Sequence, residues 1–96
     1  MLILITYDVS TMDAAGKRRL RLVAKHCVKH GQRVQNSVFE LSLNQAELVK
    51  FSHELKSLID QNQDSLRIYN LGNQYHSKVE HFGAKPTYLP DDVLIV

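Results

Sequence analysis

Residues 2 to 8, LILITYD, place Leu2 and Leu4 on one side of an extended chain and Ile3, Ile5 and Tyr7 on the other. A strand that is apolar on both sides is buried on both sides, so the segment reads as an inner strand ending at Asp8. Ser10, Thr11 and Asp13 then offer N-cap side chains. From Lys17 onward Leu20, Val23, Ala24, Cys27 and Val28 recur at helical intervals, and Gly31 is placed as the C-terminal stop. RVQNSVFELSL (33 to 43) is rich in strand formers, and Asn36-Ser37 suits a tight hairpin turn, with a single bent strand as the alternative. Asn44 with Glu47 forms a capping box ahead of Leu48, Phe51, Leu55, Leu58 and Ile59, which mark a second amphipathic helix ending in DQNQD. SLRIYNL (65 to 71) alternates as a strand and is closed by Gly72-Asn73.

The resulting order, strand, helix, strand, strand, helix, strand, predicts an α+β fold. It is a ferredoxin-like βαββαβ sandwich, a four-stranded antiparallel sheet with both helices on one face. Right-handed crossovers place the first and third strands at its centre. This core covers residues 1–73. Residues 74–96 form a C-terminal extension with a short candidate edge strand, KVEHF (78 to 82), and an apolar end, DVLIV (92 to 96). Helices cover one face of the sheet, yet the first strand calls for burial on both. The expected cover is a second copy, in a sheet-to-sheet homodimer whose tail strands pack on or exchange with the partner.

Composition narrows the class. A chain of 96 residues with 44% hydrophobic and 23% charged residues suits one folded domain. MLILI is too short for a signal-peptide core or a membrane span, so a cytoplasmic protein with no membrane association is expected. The single cysteine, Cys27, cannot form an internal disulfide, and its helical apolar position predicts a buried, inert thiol. Neither a Gly-rich phosphate loop nor a CxxC pair is present, which argues against nucleotide-triphosphatase and redox chemistry.

Net charge is a modest +2, but six of the twelve basic residues fall in the first helix: Lys17, Arg18, Arg19, Arg21, Lys25 and Lys29. Arg18, Arg21, Lys25 and Lys29 form a stripe, which reads either as a solvated face or as a ridge tracking phosphates. With no interleaved aromatic residue, such a ridge suits duplex backbone better than stacked single strands. Arg33, on the following strand, stands apart as a candidate for a specific phosphate contact.

Asp8 reads either as a residue that ends the strand and caps the next turn, or as a functional carboxylate displayed at a strand end. One Asp per chain is a poor Mg²⁺ site. Two Asp8 side chains related by a two-fold axis are adequate, because Mg²⁺ keeps several waters and takes one or two protein carboxylates. His26 and His30 lie one helical turn apart, but HxxxH lacks the nearby Glu of HExxH, and Cys27 points elsewhere. They read as exposed histidines rather than a zinc site. His53, His76 and His81 show no ligand spacing. Tyr7, Ser37 and Phe39 by themselves indicate packing and a turn hydroxyl.

Taken together, the strand ending in Tyr7-Asp8, the basic first helix, RVQNSVFE (33 to 40) and DSLRIY (64 to 69) resemble the small CRISPR-associated endonuclease of the spacer-adaptation machinery, the CRISPR-associated protein two family. The tail VEHFGAKP resembles one subgroup of that family. The resemblance implies a ferredoxin-like homodimer that cleaves phosphodiester bonds of double-stranded DNA or RNA with Mg²⁺ or Mn²⁺. It also implies partnership with the CRISPR integrase in spacer acquisition. By position, Asp8 matches the metal-binding aspartate of the family, Tyr7, Arg33, Ser37 and Phe39 match its other motif positions, and Arg19 or Arg21 matches a basic position of helix one. A non-catalytic DNA-binding adaptor of the integration complex is the alternative that the same resemblance leaves open.

Overall fold

The computed structural model describes residues 1–83. Strand β1 (Leu2–Asp8) leads into helix α1 (Ala14–His30), then β2 (Gln32–Gln35), β3 (Val38–Ser42), α2 (Gln45–Leu58), β4 (Ser65–Gly72) and a 3-10 turn (His76–Lys78). The strands form one antiparallel sheet in the order β2-β3-β1-β4. The hairpin turn falls at Asn36-Ser37, and the two halves of the βαββαβ chain interleave as the crossover rule requires.

The core lies between the sheet and its helices. Ile3, Ile5 and Tyr7 of β1 and Phe39 and Leu41 of β3 meet Val23 and Cys27 of α1 and Phe51 and Leu55 of α2. Both helix starts are fixed by side chains. Asp13 Oδ1 accepts from the Gly16 N–H at 2.7 Å, and Asn44 and Glu47 complete a reciprocal capping box. Val28, expected in the core, is 55% exposed. Five residues beyond buried Val23, it lies about 140° further round the helix and has left the apolar face.

Gly31 does end α1, but for a reason other than backbone handedness. Its φ of −151° is extended. A Cβ here would run into the Leu41 side chain and come within 2.6 Å of the Glu40 carbonyl oxygen, so the position needs a small residue where the helix end meets β3.

The other face of the sheet carries Leu2, Leu4, Thr6 and Asp8. At the Leu2 end the chain covers itself, because Tyr75 packs on Leu2 with Leu71 and Val79. From Leu4 onward burial falls, and Asp8 is exposed. The segment 78–82, read above as an edge strand, finishes the 3-10 turn and continues without a strand partner among the described residues. DVLIV lies outside the described residues. Among those described, no helix is long and apolar enough to cross a membrane.

Candidate functional site

Asp8 ends β1 on the face away from the helices. Antiparallel pairing sets it opposite Ser65 and sets Thr6 opposite Arg67. These residues and Tyr7 line a shallow depression of about 190 Å³. Among the described residues no hydrogen-bond donor or cation engages the Asp8 carboxylate, which leaves its oxygens free for a hard cation. Arg67 is the guanidinium on that side. Its Nη1 lies 3.3 Å from the Tyr69 hydroxyl, and the contact keeps the positive charge on the same face as Asp8. The sequence reading gave Arg67 no role, although residues two apart on β4 necessarily share a face.

Tyr7 points the opposite way. Its ring stacks on fully buried Phe39 at 6.1 Å between centroids, and the Arg33 guanidinium sits 5.1 Å from the centre of the Phe39 ring. The Tyr7 hydroxyl donates to the Asn36 carbonyl at 3.4 Å, and the Tyr7 N–H donates to the Ser37 carbonyl at 3.2 Å. Burial, followed by the Cys27 sulfur, raises the Tyr7 pKa, while Arg33 opposes the rise. Tyr7 and Phe39 are thus anchors, and Ser37 holds the β1 end through its carbonyl. Arg33 is exposed at the rim of this cluster, and its register partner Phe39 belongs to the core face. The sheet therefore separates Arg33 from the Asp8 carboxylate instead of bringing them together.

The helix-one cations divide in the same way. Arg18, Arg21 and Lys25 are exposed on α1, which covers the face opposite Asp8. Arg19 is bound to Asp64, with Nε 2.8 Å from Oδ2. That pairing leaves Arg19 poorly placed to grip phosphate. The Asp64 carboxylate has no solvent exposure and also accepts from the Ser10 N–H at 3.0 Å and the Asp60 N–H at 2.8 Å. Bonding to Arg19 holds its pKa below the usual carboxylate range. Asp64 ties the loop after β1 to α1 and to the turn before β4, a structural role that the polar run DQNQD did not disclose. Burial pushes the Cys27 thiol up to about 11, in keeping with an inert core sulfur.

The fold is an α+β ferredoxin-like sandwich in which, among the described residues, an unengaged acid ends an inner strand and cations lie on both faces of the sheet. The chain belongs to the CRISPR associated protein Cas2 family, whose profile matches residues 1–79. It is 58% identical over 95 residues to the CRISPR-associated endonuclease Cas2 of Halalkalibacterium halodurans, covering 99% of each chain. It is 52% identical over 96 residues to the CRISPR-associated endoribonuclease Cas2 of Nitratidesulfovibrio vulgaris, covering 100% of this chain and 94% of the relative. The crystal structure of Streptococcus pyogenes Cas2 superposes with a TM-score of 0.74 at 53% identity, over 86% of this chain and all of that one.

Proposed function

We propose that the protein is a metal-dependent endonuclease of the CRISPR adaptation system that hydrolyses phosphodiester bonds of double-stranded DNA or RNA and works as a homodimer in the cytoplasm beside the integrase. The observation that carries this reading is Asp8: an exposed carboxylate with no partner among the described residues, at the end of an inner strand in a family whose relatives are named as nucleases. A free carboxylate beside open solvent fits Mg²⁺, or Mn²⁺ in its place. When bound, such a cation lowers the pKa of a coordinated water and neutralises a phosphodiester oxygen.

In this reading Asp8 supplies the protein's oxygen ligand, and Arg67, across the same depression, draws a phosphate oxygen toward it. Tyr7 and Phe39 act as positioning residues. Their buried stack, together with the Tyr7 N–H bond to the Ser37 carbonyl, fixes the strand end from which Asp8 projects. Dimerisation through the uncovered face supplies the second Asp8. Half-buried Leu4, Thr6 and Val38 lie on that face, as does Glu40, whose carboxyl pKa is raised by burial.

Cleavage of duplex DNA and structured RNA by the full-length protein, with and without Mg²⁺, tests the assignment. The expected result is Mg²⁺-dependent cleavage by the wild type that is lost in Asp8→Asn while the dimer persists. Persistent activity in purified Asp8→Asn sinks it.

One observation favours a second reading, a non-catalytic adaptor that holds DNA for the integrase. Arg18, Arg21, Lys25 and Arg33 lie on the side of the sheet away from Asp8, so duplex can be gripped without reaching the acid. That reading predicts spacer acquisition intact in Asp8→Asn and lost when these four cations are replaced by Ala.

A further inference from the structure

Away from the Asp8 depression, α1 and α2 bring together three side chains that the proposed nuclease does not use. His26 and His30 stand one turn apart on α1, and Glu54 faces them from α2, with one ligand atom from each lying within 4.8 Å of the others. They border a groove of about 320 Å³ between the helices, with Lys29, Lys50 and Phe51 beside them. Considered alone, HxxxH had no third ligand. The helix packing supplies it from a residue 24 positions beyond His30.

The groups are arranged as ligands more than as a salt bridge. His26 Nε2 approaches Glu54 Oε2 to 2.9 Å, yet the two are not aligned as a hydrogen bond and Nε2, shielded from solvent, has no other partner. The rings are held by packing. His26 lies nearly parallel to Phe51 at 4.8 Å, and His30 meets the edges of both His26 and Phe51. Around a tetrahedral zinc ion with bonds near 2.1 Å, neighbouring ligand atoms are roughly 3.4 Å apart. Reaching that spacing takes small side-chain shifts: the His26–Glu54 pair, now at 2.9 Å, opens slightly, and no pair, all lying within 4.8 Å, has to close by more than about 1.4 Å.

We propose that His26, His30 and Glu54 form a binding site for one Zn²⁺ ion, with water as the fourth ligand, which clamps α1 to α2. Two imidazoles and a carboxylate match the preference of zinc, whereas Mg²⁺ takes oxygen ligands. Cys27 stands where the general base of an HExxH motif would be, and it is buried in the core. The clamp is therefore a structural or regulatory site and does not generate a second hydrolytic centre.

The test is titration of the full-length protein with ZnCl₂ against a chromophoric chelator, followed by thermal melting. Co²⁺ serves as a visible reporter of coordination geometry. The expected result is one Zn²⁺ per chain, the strong visible bands of four-coordinate cobalt, and a Tm rise of about 10 °C at a hundredfold excess over Kd. All three are lost in His30→Gln and in Glu54→Gln, both outside the core, and are kept in Asp8→Asn, which separates this site from the one proposed for cleavage. Absence of saturable zinc binding overturns the proposal. So does zinc binding that His30→Gln and Glu54→Gln leave unchanged, because the ion would then sit on other histidines.

Discussion

Asp8 and Asp64 lie at the same end of the sheet. Asp8 closes β1, and Asp64 immediately precedes Ser65, the residue of β4 that pairs with Asp8. Their surroundings are opposite. Asp64 accepts from two backbone N–H groups and a guanidinium and is sealed from solvent, whereas Asp8 is exposed and unengaged among the described residues. A carboxylate saturated by internal donors stabilises a fold and has no lone pair left for a ligand. One whose donors are missing contributes little to stability and remains available. The contrast divides this end of the molecule into a structural anchor and the carboxylate proposed above as the metal ligand.

The largest effect on stability is expected at the anchor. Asp64→Ala leaves the Ser10 and Asp60 N–H groups and the Arg19 guanidinium without their acceptor, at a cost of about 2 kcal/mol. That corresponds to a fall in Tm of roughly 10 °C in calorimetry. Next comes the chemistry on the other side of the pair. Arg67→Ala should lower cleavage about tenfold, equivalent to roughly 1.4 kcal/mol of transition-state stabilisation, with little change in Tm. An unchanged rate would remove Arg67 from the site.

Acid should act through Asp64. Its pKa is lower in the folded protein than the ordinary value of 3.8, so the unfolded chain binds the proton more readily. The stabilisation is fully present above pH 3.8 and is lost as pH falls from there through the depressed folded value. Denaturant unfolding measured from pH 5 downward should show this slope in the wild type and a shallower one in Asp64→Ala. The smallest effect is that of Asp8→Asn on folding, within about 0.5 kcal/mol of wild type. A larger destabilisation would mean that Asp8 is a cap after all.

Much of this arrangement was legible from residue patterns because it rests on local rules. The two-sided apolar run of β1, the Asn44–Glu47 capping box and the Asn36-Ser37 turn each specify their element without long-range information. The strand-to-strand separation of Asp8 from Arg33 was not legible in the same way. The resemblance assigns both to motif positions, but the face each occupies follows from a register that links β1, β3 and β2, and Arg33 pairs with core residue Phe39. Arg19 illustrates a second limit. It lies among five other helix-one cations, and only the approach of Asp64, 45 residues later, distinguishes it. Glu54 completes the His26–His30 pair by the same kind of long-range approach.

The central claim is that these two neighbouring carboxylates have separate duties, and a paired comparison tests it directly. Mg²⁺-dependent cleavage per folded molecule is measured for Asp8→Asn and Asp64→Asn beside the wild type, at a temperature where all three are native, with Tm recorded for each. The account predicts at least a hundredfold loss of cleavage at unchanged Tm for Asp8→Asn, and a lowered Tm with cleavage near wild type for Asp64→Asn. Retained cleavage in Asp8→Asn, or cleavage lost in folded Asp64→Asn, would contradict it.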